Sequence, residues 1–222
     1  RAITKVANHD VSVVCAGRTD AGVHATSQVV HFDTDSSRTL EQWRLGINSS
    51  LPREICVAWS RFVDDDFSAR FSANFRHYQY VLQADQFYSK QRNALFYPYM
   101  VNAGELDVDL MNVASQALLG EKDFSAFRSS GCQSKTAMRH INGIRVKKVG
   151  DVGGCSDFIV VDIIANAFLY HMVRNIVGAL VEVGSGRRSP EWIEKILHGK
   201  TREVKYRTIE PYGLYLVGVG YP

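Results

Sequence analysis

One octapeptide, Gly17-Arg18-Thr19-Asp20-Ala21-Gly22-Val23-His24, sets a guanidinium and a carboxylate two residues apart between glycines. Glycine lets a backbone turn sharply or approach a ligand closely. An apolar run at 11–16 precedes the octapeptide and an alternating run at 27–34 follows it, and both read as strands. Asp20 is therefore expected on a tight loop at the end of a strand, where a rigid scaffold commonly presents catalytic groups. A carboxylate held in that way can act as a nucleophile. The competing reading is an ordinary Asp-Gly turn whose side chain bonds the backbone two residues on.

Such a carboxylate needs its charge state held. An unperturbed Asp titrates near about 3.9. Burial raises that by up to roughly 3–5 units, and a guanidinium close by lowers it by about 1–3. A cation beside Asp20 is thus required, and Arg174 is the candidate. In Phe168-Leu169-Tyr170-His171-Met172-Val173-Arg174-Asn175-Ile176-Val177-Gly178 it is a charge within an otherwise apolar helical pattern. Buried arginines are rarely left without a partner. The rival is an arginine at the solvent edge of its helix.

The elements that must bring these residues together follow from periodicity. Residues 1–8 read as the end of a helix, and Leu40, Trp43, Leu45 and Ile47 give 40–48 a helical spacing that Pro52 closes. Residues 55–63 read as another strand. Arg1 is not an initiator methionine, and a strand upstream of it is expected, which makes residues 1–66 a (β)αββαβ unit. Asp64-Asp65-Asp66 supplies a polar break, and the pattern repeats over 67–222.

That second unit opens with a strand at 76–83 that sets Tyr78, Tyr80 and Leu82 on one side. A long connection over 84–107, a helix at 108–119 and an irregular polar stretch at 120–138 follow. Strands at 140–149 and 157–164 are joined by the glycine-rich turn 150–154. A helix at 168–183 ends at Gly184-Ser185-Gly186, and another opens with capping Ser189 and Pro190. The last strand covers 214–219. The expectation is an α+β protein of two βαββαβ halves, with antiparallel sheets and a cleft for a large ligand. The first half carries the Asp20 loop; the second, 67–222, carries the Tyr78 strand and the Arg174 helix.

Composition narrows the classes. A chain of 222 residues that is 45% apolar and 22% charged has the makings of a soluble globular protein with a sizeable core. The formal net charge of +3 is mildly basic and compatible with nucleic acid. Cys15, Cys56, Cys132 and Cys155 are scattered without zinc spacing, which favours a reducing, cytoplasmic setting. The most membrane-like stretch, 165–184, is interrupted by His171, Arg174, Asn175 and Glu182, so no membrane span is expected.

The octapeptide, with Gln28-Val29-Val30-His31-Phe32 after it, resembles the signature of the tRNA pseudouridine synthase A family. The likeness runs from Ala2 to the closing Gly213-Leu214-Tyr215-Leu216. It implies the pseudouridine synthase fold, two ferredoxin-like halves forming a mixed, mainly antiparallel sheet with a central cleft. It also implies isomerisation of uridine at positions 38, 39 and 40 in the tRNA anticodon stem-loop, by a homodimer using base flipping and neither cofactor nor metal. By matching position, Asp20 is the nucleophile, attacking either ribose C1′ or base C6, and Arg174 is its partner.

Phe75-Arg76-His77-Tyr78-Gln79-Tyr80 resembles the Arg-x-Tyr segment of the family, which implies a substrate role for Tyr78. Its ring would stack on the uracil, or its hydroxyl would handle the C5 proton. Tyr80 reads as plain core. Arg18 would fill the space of the extruded nucleotide or hold its phosphate, with a turn salt bridge as the rival. His24 would shape the loop. Arg128, Lys135 and Arg139, with Arg187 and Arg188, are the candidates for RNA backbone contact. The alternative is a non-catalytic RNA-binding module of ferredoxin-like fold, which lacks support because no Lys/Arg-Gly-aromatic run of the RNP type is present. A glycoside hydrolase would need a second carboxylate in a setting like that of Asp20.

Overall fold

The computed structural model describes residues 1–83, 99–100, 105–150, 158–200 and 206–222. The glycine-rich turn at 151–154, Cys155 and most of the connection at 84–107 lie outside the described residues. The described chain falls into two compact units, residues 1–17 with 29–73, and residues 18–28 with 74–222.

The smaller unit holds α1 (Ala2–Ala7), β1 (Val14–Cys15), β3 (Val30–His31) and α2 (Leu40–Asn48). A capping box starts α2, with the Thr39 hydroxyl accepting from Gln42 N–H and the Gln42 side chain accepting from Thr39 N–H. Ala7, Trp43 and Ile47 form its small core, and Phe32 meets Trp43 edge-on at 5.2 Å. The two strands expected at 11–16 and 27–34 shorten to one antiparallel ladder, Val14↔His31 and Cys15↔Val30. The strand expected at 55–63 is not formed among the described residues. Alternation makes a strand only where a neighbour supplies ladder hydrogen bonds. Here the Asn48 amide takes both backbone groups of Val57, at 2.7 and 2.9 Å, and the Ser60 hydroxyl donates to Leu40 C=O.

The larger unit carries β2 (His24–Ala25), β4 (Phe75–Gln83), β5 (Tyr99–Met100), α3 (Val108–Ser115) and β6 (Gly120–Asp123). β7 (Met138–Val149), β8 (Phe158–Ala165), α4 (Met172–Gly184), α5 (Trp192–Gly199) and β9 (Leu214–Gly220) complete it. The sheet order is β2-β9-β4-β8-β7-β6, with β5 also on β4. Within it β9-β4-β8-β7 are the last, first, third and second strands of a βαββαβ unit, all antiparallel to their neighbours. β2 adds to β9 in parallel, so the sheet is mixed and mainly antiparallel, as expected for this α+β class.

Along β4, Arg76, Tyr78, Tyr80 and Leu82 are buried and the residues between them are half-buried. β8 alternates in the same way, with Ile159, Val161, Ile163 and Ala165 buried. Against that apolar face lies α4, every residue of which is buried except Arg174 and Glu182. Each buried Leu, Ile, Val or Met contributes about 1.5–3 kcal/mol, whereas an exposed ion pair contributes about 0–1. Packing therefore fixes where α4 sits, and the contacts of Arg174 follow from it.

Two helix starts differ from the sequence expectation. α4 begins at Met172 rather than 168, because His171 adopts a left-handed backbone with φ +60°. α5 begins at Trp192 with Glu191 at its N-cap and no side-chain cap; Ser189 instead accepts the Trp192 N–H on its carbonyl. No described helix is long and apolar enough to cross a membrane.

Candidate active site

The loop bearing Asp20 closes on itself. Val23 N–H donates to Asp20 C=O at 3.0 Å, and Gly22 lies at φ +86°. An i→i+3 bond with a left-handed third residue is the pattern of a type II turn, which wants glycine there. A Cβ on Gly22 would also fall 2.7 Å from the Tyr212 ring. Backbone and packing thus require the same residue.

Arg174 meets this loop from α4. Its Nη1 donates to Asp20 Oδ2 at 3.3 Å, and its Nε donates to Ile209 C=O at 2.7 Å. The guanidinium is not bidentate on the carboxylate; one edge anchors on backbone and one limb reaches the acid. Gly178, one turn along, makes that anchor possible. A Cβ there would lie 2.4 Å from Arg207 O, so only glycine lets residues 207–209 run this close to the helix.

The sequence reading missed His171. Its Nε2 lies 3.1 Å from the same Oδ2, and its Nδ1 lies 3.1 Å from Ser129 Oγ. Buried Asn175 donates from Nδ2 to Phe127 C=O at 2.8 Å and to Ser129 Oγ at 3.3 Å. Its Oδ1 accepts from the Thr208 hydroxyl at 2.6 Å. His171, Arg174, Asn175 and Gly178 recur at i, i+3, i+4 and i+7, which is one stripe of a helix. That spacing was the available signal: once Arg174 is aimed at Asp20, a histidine three residues earlier shares its face.

An Arg174 N–H and the His171 Nε2 therefore both face Asp20 Oδ2, and Oδ1 has no hydrogen bond to a described residue. The side chain of Asp20 is 31% exposed, against 12% for Arg174 and 19% for His171. Donors are covered and the acid is open to solvent. A carboxylate with one oxygen held and the other uncovered is suited to attack on an electrophilic carbon.

The other expected residues are placed as follows. Tyr78 is buried on the face that α4 covers, with its ring edge-on to Phe168 at 5.1 Å. Arg18 and Lys135 are exposed. Arg128 donates from Nη2 to the carbonyls of Cys132 and Ser134, at 2.6 and 2.8 Å. Arg139 is buried and donates to Ser134 Oγ at 2.6 Å and Thr136 C=O at 3.0 Å. Arg128 from within the irregular stretch and Arg139 from the start of β7 tie residues 132–136 together. Arg187 makes a two-pronged pair with Glu182, and Arg188 covers the Trp192 ring. His24 stacks on Tyr215 at 4.8 Å.

Comparison with known proteins decides the family. A family model described as tRNA pseudouridine synthase matches residues 1–72 and 114–222. The chain belongs to the tRNA pseudouridine synthase family. Among relatives named tRNA pseudouridine synthase A, that of Pasteurella multocida is 50% identical over all of this chain and 81% of its own length. Those of Idiomarina loihiensis and Aliivibrio salmonicida are 49% and 48% identical, again over the whole chain and 81% of their lengths. As a member of a pseudouridine synthase family the chain is an isomerase. Asp20, His171, Arg174 and Gly178 lie inside the residues that the family model matches, whereas Tyr78 lies between its two segments.

Proposed function

We propose that this chain converts uridine to pseudouridine at positions 38, 39 and 40 of the tRNA anticodon stem-loop, with Asp20 as nucleophile. The observation carrying the reading is the carboxylate of Asp20, turned out on a glycine-shaped loop with Oδ2 held by Arg174. The N1–C1′ bond of a flipped nucleotide breaks, the base turns, C5 bonds to C1′ and the C5 proton leaves. Attack by Asp20 on C1′ or on C6 would serve, and either leaves the atoms of the base in the product. Arg174 gives that carboxylate a guanidinium partner, with Nη1 3.3 Å from Oδ2.

Tyr78 completes the base site in this reading, and exposed Arg18 meets the extruded nucleotide or its phosphate. Lys135 offers a backbone contact to RNA, while Arg128 and Arg139 act by holding the shape of their loop. A homodimer in the cytoplasm is the proposed working form. Thiols at Cys15, Cys56 and Cys132 fit that compartment, and sedimentation measures the assembly.

Tritium release from tRNA carrying C5-labelled uridine tests the proposal. Release with pseudouridine recovered in the chain is expected. Binding without release would leave a non-catalytic RNA module instead, and a freed base would mean hydrolysis.

A further inference from the structure

Arg174 is only one of the two side chains whose nitrogens lie close to Asp20 Oδ2, at 3.3 Å, with His171 Nε2 at 3.1 Å. We infer that His171 is a positioning residue for the isomerisation, its Nε2–H fixing Asp20 Oδ2 while Ser129 and Asn175 fix the imidazole. The inference rests on the reading of Asp20 as nucleophile.

His171 occupies the N-cap of α4 yet makes no side-chain cap bond. A left-handed backbone is unfavourable for a residue other than glycine, although histidine is among those that tolerate it. The ring lies stacked on Tyr170 at 3.8 Å, with 28° between the planes. Cap and backbone are thus given over to a ring held in one place.

A hydrogen-bond network holds the far edge of the imidazole. Phe127 C=O, which can only accept, orients the Asn175 amide, so its NH₂ faces Phe127 and Ser129 Oγ and its Oδ1 takes the Thr208 hydroxyl. Ser129 Oγ accepts that bond and lies 3.1 Å from His171 Nδ1. A ring hydrogen on Nε2 faces Asp20 Oδ2, 3.1 Å away. A donor beside the guanidinium gives the acid a second contact from the same end of α4. With Oδ2 held twice, the carboxylate is kept from rotating and Oδ1 remains the attacking oxygen. Orientation of this kind changes rates by on the order of 10- to 100-fold.

Single-turnover tritium release with saturating tRNA, together with the Kd for tRNA, tests the role. Asn suits a left-handed backbone but is too short to reach Asp20, so His171→Asn should slow release roughly 10- to 100-fold. The Kd should stay within about twofold, because a positioning bond acts after binding. His171→Gln places an amide N–H near the Nε2 position and should recover much of the rate. Unchanged release in His171→Asn, or a loss that appears only in Kd, overturns the inference. Should His171→Asn fail to fold, Ser129→Ala carries the test: a slowing of about 3- to 10-fold supports it and an unchanged rate overturns it. Asp20→Asn run in parallel separates the two levels. Activity in that variant sinks the nucleophile itself, whereas its inactivity beside a fully active His171→Asn sinks only the role of His171.

Discussion

Two carboxylates in the larger unit are surrounded by the same kinds of residue and do different things. Asp20 meets a histidine and an arginine; Asp162, on β8, meets His77, Lys147 and Gln79. At Asp162 both oxygens are occupied, Oδ1 by His77 and Gln79 at 3.0 and 2.7 Å and Oδ2 by Lys147 at 3.0 Å. At Asp20 both neighbouring nitrogens, of Arg174 and His171, fall on Oδ2. Asp162 sits within three paired strands, whose registers bring β4 and β7 residues to it. Asp20 sits on a turn. A saturated carboxylate in a sheet is a structural fastener, and one with an uncovered oxygen on a loop has chemistry left to do.

That contrast is broken or sharpened most strongly by amide substitution at both places. Asp20→Asn should lower tritium release by roughly 10³-fold or more, as loss of a nucleophile does. Asp162→Asn should leave the rate within about threefold, as expected for an independent site. Equal losses would erase the distinction. Next, Arg174→Lys keeps the charge but lacks the planar fork that spans Ile209 C=O and Asp20. A fall of about 10- to 100-fold in turnover is expected, and full activity would remove Arg174 from the mechanism.

Gly178→Ala tests how the Arg174 anchor is built. The added methyl meets the backbone carbonyl of Arg207, and overpacking against rigid atoms costs about 1–3 kcal/mol, readable in urea unfolding. A neutral result would mean that segment 207–209 moves aside without consequence. The smallest effect concerns acid stability. Burial alone would push the Asp162 carboxyl up, but the bonds from Gln79, Lys147 and His77 outweigh it and hold the group below its usual value. A carboxyl depressed on folding adds stability above its unfolded value of about 3.9, and that stability is lost as pH falls through the folded value. The unfolding free energy of Asp162→Asn should therefore be lower near neutrality and fall less steeply below about pH 4. A slope identical to that of the unaltered chain would show that Asp162 gains nothing from its neighbours.

Much of this was legible beforehand, for reasons visible at particular residues. Alternation in Phe75–Gln83 marked β4 and its buried face, because one side of that strand meets an apolar layer. Glycines at 17 and 22 marked the turn. The pairing of Arg174 with Asp20 followed from the rule that a charge in an apolar helix needs a partner. Failures fell where pattern alone is ambiguous. Residues 55–63 alternate, yet the Asn48 side chain of α2 takes up both backbone groups of Val57, and the Ser60 hydroxyl donates to the Leu40 carbonyl of that helix. The α4 boundary slipped because propensity does not anticipate a histidine in a left-handed backbone. Arg128 and Arg139 read as basic surface, and only the folded loop shows them bonding inward.

The order of residues settled the reactive types, the glycine-shaped turn and the apolar stripe that seats α4, since these depend on neighbours within a turn or two of chain. Which oxygen of Asp20 is held was decided by distance in space across 154 positions of sequence. The same holds for His171 joining Arg174 there, and for Asp162 being saturated while Asp20 is not. Hydrogen bonds are short and directional, so no periodicity along a chain specifies them until packing has fixed the helix and the loop together.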